Sequence, residues 1–286
     1  MAQKKRQHFL PEFYLKNFCY KDGDNKGLLY FYDIKNKEIK HQRPKKIAHK
    51  KYLYSKIEKD GTLNHEIEDE FQKIEDKTAP MINKIINTIN NENFSITDNE
   101  KLILADFIVR QMKRTPKTME KLKKKTESKA DDFMDILEKN LPGIKFDKIY
   151  KEMYLKNTPI EAMCKIGNLR EDRNFVKTFL SKNWYFFYID DVFPSSFIVT
   201  DDPVARFCKG YENGGLGNLN TEIYIPLSSK VFLAMIKKGE KICKVKIHNK
   251  KKIREINNYM ASKATEIIIT RDKKYLERII KDQGFK

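Results

Sequence analysis

Apolar positions change their period along this chain. Near the start, Phe9 and Phe13, and Leu10 and Tyr14, are each four residues apart, which predicts a short helix from Pro11 onward whose aromatic stripe docks on the body. Pro11 suits a first helical turn, where its missing N–H is harmless, and Gln7 and His8 are left just ahead of it with polar groups free to face a cleft. Two β-type runs follow, Leu28 to Tyr32 and Glu38 to His41, parted by Lys35-Asn36-Lys37 and read as a hairpin; Tyr52-Leu53-Tyr54 reads as a further strand. From Asn64 to Asn91 the pattern is helical, with Ile67, Phe71 and Ile74 before Pro80 and Ile82, Ile85, Ile86 and Ile89 after it, so the segment is two helices or one kinked at the proline.

Thr97-Asp98-Asn99-Glu100 is a capping box that opens the best-defined helix. Leu104, Phe107, Ile108 and Met112 make its inward face, which Gln111 and Arg114 continue up to the break at Thr115-Pro116. A charged helix is predicted from Lys117 to Asn140, a stop at Leu141-Pro142-Gly143, and helix again from Phe146 to Leu155 and from Ile160 to Leu180. Beyond residue 182 strand signals return at Trp184 to Ile189, Phe197 to Thr200, Ile223 to Ile225, Val231 to Ile236 and Ile242 to Ile247. Helix from Arg254 to Ala264, strand from Glu266 to Thr270 and helix from Lys273 to Asp282 complete the pattern. Helices between two sets of strands argue α+β, with a central helical block flanked by an N-terminal β-hairpin region and a C-terminal, mainly antiparallel sheet. The 286 residues are read as a single domain with sub-regions 1–60, 61–181 and 182–286.

Composition changes this picture at one point. A net charge of +18 would draw polyanions such as nucleic acid, although 48 of the cations are Lys and 10 Arg, and Lys is the less suited to bidentate phosphate recognition. Lys45, Lys46, Lys50 and Lys51, interleaved with tyrosines, and the cluster at Lys121, Lys123, Lys124 and Lys125 are the candidate phosphate contacts; the plainer reading is a solvated edge and helix face. The four cysteines form no C-x-x-C pair, so a reducing cytoplasm is expected, and no run of about eighteen apolar residues suggests a membrane partner.

Two constellations could carry chemistry. Thr200-Asp201-Asp202-Pro203 ends an apolar strand, where Asp201 and Asp202 could hold a divalent metal (Mg or Mn) with His8, although neighbours on an extended chain point opposite ways; the alternative is an Asx turn. His8 with Gln7, Gln111 and Arg114 offers a proton-transfer group and a phosphate or carboxylate clamp, or else Arg114 pairs with an internal carboxylate. Asp22-x-Asp24 lacks the remaining ligands of a calcium loop, and Gly214-Gly215-Leu216-Gly217 lacks dinucleotide-binding spacing.

Gln7-His8-x-x-Pro11-x-x-Tyr14-Leu15-x-x-Phe18, Gln111-x-x-Arg114-Thr115-Pro116, Trp184, Thr200-Asp201-Asp202-Pro203-Val204 and Ile225-Pro226-Leu227-Ser228 together resemble the bacterial family catalogued as domain of unknown function 4238. The family would be expected to have Ser-Asp-Asn-Pro at 200–203, which shifts the weight from Asp202 to Asp201. The resemblance implies no activity, only that His8, Gln111, Arg114 and Asp201 travel together. Three expectations follow. The first is a nuclease, a phage-defence or toxin effector, with His8, Arg114 and Asp201 catalytic and Gln7, Gln111 and the lysines binding substrate. The second is a non-catalytic nucleic-acid-binding protein. The third is a buried polar network with no catalytic role.

Overall fold

In the computed structural model, residues 5–20, 23, 26–141, 148–165, 172–208, 215–216, 218 and 220–285 are described. Strand β1 (Arg6–His8) precedes helix α1 (Glu12–Lys16), and the aromatic stripe behind Pro11 is buried, with Leu10, Tyr14, Leu15 and Phe18 wholly inaccessible. The predicted hairpin is β2 (Leu29–Asp33) with β3 (Glu38–Gln42). A 3-10 turn at Pro44–Lys46 leads into β4 (His49–Lys51), which pairs antiparallel with β1 and sets Gln7 opposite Lys50 and His8 opposite His49. Strand therefore falls before Tyr52-Leu53-Tyr54, not on it: Tyr52 takes φ 50°, outside the extended region, and begins a turn.

A short hairpin of β5 (Lys56–Ile57) and β6 (Leu63–Asn64) opens the helical block. Its helices are α2 (Glu66–Thr88), α3 (Asp98–Lys113), α4 (Pro116–Glu127), α5 (Ala130–Asn140), α6 (Lys148–Lys165) and α7 (Asp172–Leu180). Pro80 lies inside one continuous α2, because the buried stripe of Phe71, Met81, Ile82 and Ile85 holds the helix on both sides of it. The charged run from Lys117 divides into two helices at Ser128 and Lys129, where both backbone N–H groups are capped by carbonyls of the preceding turn. The stop predicted at Pro142-Gly143, part of the loop at 210–220 and most of the polar loop at 21–25 lie outside the described residues.

The remaining elements are β7 (Lys182–Tyr188), β8 (Val199–Thr200), β9 (Ala205–Phe207), β10 (Glu222–Pro226), β11 (Val231–Lys238), β12 (Ile242–Lys246), α8 (Lys250–Ala261), β13 (Ile267–Thr270) and α9 (Lys273–Asp282). They build a five-stranded sheet in the order β12-β7-β11-β10-β9, antiparallel except where β12 runs parallel to β7. The second sheet, β3-β2-β13-β8, joins the N-terminal hairpin to C-terminal strands, so the two strand regions predicted on either side of the helices share one sheet. The architecture is α+β. Where one face of the first sheet meets the helices, Trp184, Phe186, Leu233 and Phe179 join one core with Leu104, Phe107 and the N-terminal aromatics; a second core lies under α8 and α9. Lys230, buried, donates from Nζ to the carbonyls of Asp190 (2.8 Å), Phe193 (3.0 Å) and Ser195 (3.2 Å), and an ammonium thereby organises the connector before β8.

Candidate functional site

The motif residues near the start serve β1 and the turn behind it. Gln7 is fully buried; its Nε2 donates to Ser55 Oγ at 2.8 Å and its Oε1 accepts from the Tyr54 N–H at 2.6 Å. On α3, Gln111 donates to the Phe9 carbonyl at 2.6 Å. Arg114, at the end of that helix, donates through Nη2 to the His8 carbonyl and through Nη1 to Glu75, each at 2.7 Å, while its guanidinium lies 4.6 Å from the Phe71 ring centroid. Tyr54 closes the circle by donating to the Arg114 carbonyl at 2.6 Å. The inward lean of Gln111 and Arg114 is thus as the spacing predicts, but both reach backbone and an internal carboxylate, and Gln7 is enclosed instead of facing a cleft. Removing Glu75 would strand a buried cation.

His8 is half-buried, with its ring 5.3 Å from that of His49 in a T-shaped contact. Burial, then the neighbouring His49 and Arg114, lower its pKa to about 4, so the imidazole is neutral near pH 7. Its Nε2 is one of three atoms in this network without a protein partner, beside Gln111 Oε1 and Arg114 Nε.

Asp201 is the most fully committed of the motif groups. Its carboxylate accepts from the backbone N–H groups of Thr265 (3.0 Å), Glu266 (3.0 Å) and Ile267 (3.1 Å) and from the Thr265 hydroxyl, so it fixes the start of β13. Asp202 follows in a bend beyond β8, its carbonyl accepting from the Thr200 hydroxyl at 2.9 Å. It is half-buried, and burial, then the Asp201 charge, raise its pKa to about 6 against the opposing pull of Lys117, Arg206 and Lys263. Asp202 can therefore exchange a proton near pH 6. The segment that Asp201 holds, Thr265 to Ile267, walls a polar cavity of about 450 Å³ that Lys50 of β4 and Lys117 and Glu120 of α4 also line. Lys50 pairs there with Glu266.

The donor set does not fit a divalent ion well. Both oxygens of Asp201 are held by protein donors, and among the described residues no group of three or more His, Cys, Asp or Glu side chains could hold a metal ion.

The two lysine-bearing elements, β4 and α4, approach one another at Lys50 and Lys117. Lys45, Lys46, Lys50 and Lys51 are exposed, as are Lys5, Arg6 and Arg43 around them. Along α4, pairing with Lys124 and, to a lesser extent, the charge of Lys50 hold Glu120 below the usual carboxylate pKa. One turn on, burial and then the charge of Lys123 lower the pKa of Lys156, whose Nζ donates to the Tyr52 carbonyl at 2.7 Å. Lys50 of β4 and Lys117 and Glu120 of α4 thus stand around one cavity, while Lys123 lies near Lys156 beside Tyr52. Proximity of these elements is not legible in either run alone.

Comparison with known proteins gives a family match over residues 6–274, to the family described as Protein of unknown function (DUF4238). No curated protein and no solved structure matches the chain. No helix among the described residues is long and apolar enough to cross a membrane.

Proposed function

The chain belongs to the DUF4238 family, a membership that carries no activity, and from the arrangement of its cations we propose that it is a nucleic-acid-binding protein. The observation that carries this reading is that Lys50 of β4 and Lys117 of α4 border one cavity, with the other exposed lysines of both elements flanking it in the chain. Phosphate contacts need closely spaced cations on a rigid support, and each lysine that releases a counterion adds affinity at low salt. Rigidity comes from the motif residues: Gln7, Gln111 and Arg114 fix β1, and β1 is the hydrogen-bonded partner of β4. On this reading the motif supports the binding face from behind and does not itself touch the ligand.

The test is fluorescence anisotropy with labelled oligonucleotides over a salt series. Alanine at Lys45, Lys46 and Lys51 together, and separately at Lys121, Lys123 and Lys124, should each weaken binding about tenfold or more. Each should also flatten the salt dependence by roughly one unit of slope for every phosphate that is no longer neutralised. Unchanged affinity in both triple variants would remove the proposal.

A second reading, hydrolysis of a phosphodiester, is favoured by Asp202, a half-buried carboxyl whose pKa is raised to about 6 and which feels the charge of Lys117, a residue that lines the cavity. A group with that pKa can give or take a proton near neutral pH, and Lys117 would offset phosphate charge. Incubation with DNA and RNA, with and without Mg or Mn, should then show cleavage that Asp202→Asn abolishes while binding persists; absence of cleavage under all conditions leaves binding as the function.

A further inference from the structure

The cationic face ends on an aromatic pair that phosphate binding alone does not require. Tyr52 directly follows Lys51, and its ring is stacked on that of His65, with centroids 6.1 Å apart and planes at 19°. Tyr52 and His65 are both half-buried residues. The pair is firmly held in place. Tyr52 takes φ 50°, a strained conformation for a bulky residue, and its backbone is pinned at both ends, its N–H donating to the Lys5 carbonyl at 3.0 Å and its carbonyl accepting from Lys156 at 2.7 Å. His65 Nδ1 is 2.8 Å from Ser55 Oγ, and Ser55 Oγ accepts from Gln7. A chain of contacts thus runs from the buried Gln7 of the opening motif through Ser55 to His65 and onto the Tyr52 ring, amid Lys5, Lys51, Lys123 and Lys156.

A duplex presents phosphates and groove edges with its bases already stacked, whereas a single strand presents unpaired base faces, and an aromatic platform beside a row of cations suits the second. We infer that this face takes single-stranded nucleic acid, with one base stacking on the Tyr52–His65 pair while the lysines of β4 and α4 follow the backbone. The inference rests on the nucleic-acid-binding reading and narrows its ligand. Stacking is indifferent to the sugar, so DNA and RNA single strands are equivalent at this position unless a 2′-hydroxyl contact separates them.

The experiment compares three probes at matched salt: single strands of about 16 nucleotides in DNA and RNA form, a duplex of the same length, and inorganic polyphosphate, which has charge and no bases. The single strands should bind more tightly than the duplex. Tyr52→Ala should weaken them about tenfold and leave polyphosphate unchanged. Tyr52→Trp should keep affinity and report directly, because the sole native tryptophan, Trp184, is fully buried: its added fluorescence should be quenched by single strands and not by polyphosphate. Should Tyr52→Ala fail to fold, the quenching of Tyr52→Trp decides. Equal quenching by both probes, or single-strand affinity indifferent to Tyr52→Ala, overturns the stacking inference while the cationic face stands. Failure to bind any of the three polyanions at low salt overturns the parent reading itself.

Discussion

At the scale of residues, His8 and Asp202 titrate in opposite senses over the same range. In an unfolded chain an aspartate titrates near 3.9, whereas Asp202 in the fold titrates near 6. Its contribution to stability is complete below about pH 4 and is lost as pH rises through 6. Asp202→Asn should therefore melt higher than the parent above pH 6, by on the order of 2 kcal/mol, and together with it near pH 4. His8 runs the other way: its imidazole, unfolded near 6.5 and folded near 4, supports the fold above pH 6.5 and withdraws that support as pH falls toward 4. His8→Asn should flatten the acid limb of a melting-temperature profile between those values. Arg114→Ala leaves the half-buried Glu75 without its cation and the His8 carbonyl without its donor, and should cost about 3 kcal/mol by denaturant unfolding. A substitution confined to a solvent-facing catalytic group would cost far less, so this measurement separates bracing from catalysis. The inward turn of Gln111 and Arg114 was legible in the sequence and their partners were not, because spacing shows which way a helix faces but not which backbone carbonyl waits there.

Among elements, α4 decides how the surface is presented. Thr115 caps it by accepting from the Thr118 N–H at 3.2 Å, with Pro116 in its first turn. Thr115→Ala should lower stability by about 1 kcal/mol in thermal unfolding. It should also weaken oligonucleotide binding more than that destabilisation explains, because the cap sets the direction in which Lys121, Lys123 and Lys124 leave the body. Helix signals were legible here for a physical reason. Capping chemistry and 3.6-residue periodicity are local, so the capping box at Thr97 and the break at Thr115-Pro116 fall where the residues place them. Strand partners are not local. Nothing in Leu28 to Tyr32 announces that this hairpin will pair with Ile267 to Thr270, and the positive φ of Tyr52 defeated a β-propensity reading of its aromatic run.

For the whole molecule, a net charge of +18 predicts association that depends steeply on ionic strength, and the affinity measured at low salt should fall by orders of magnitude by about 200 mM. The α+β class and the helical block were readable from period alone. The merging of the two strand regions into one sheet was not, nor was the reason the Ile225-Pro226-Leu227 motif accompanies the opening one: Tyr14 donates to the Pro226 carbonyl and Asn17 to that of Leu227.

That last attachment has a consequence for synthesis. Tyr14 and Pro226 are 212 positions apart, an interval the ribosome covers in roughly ten to forty seconds. Throughout that wait Phe9, Leu10, Tyr14 and Phe18 have emerged without the surface that will cover them, and a nascent chain stalled before the sheet is made exposes its greasiest stretch to proteases and chaperones.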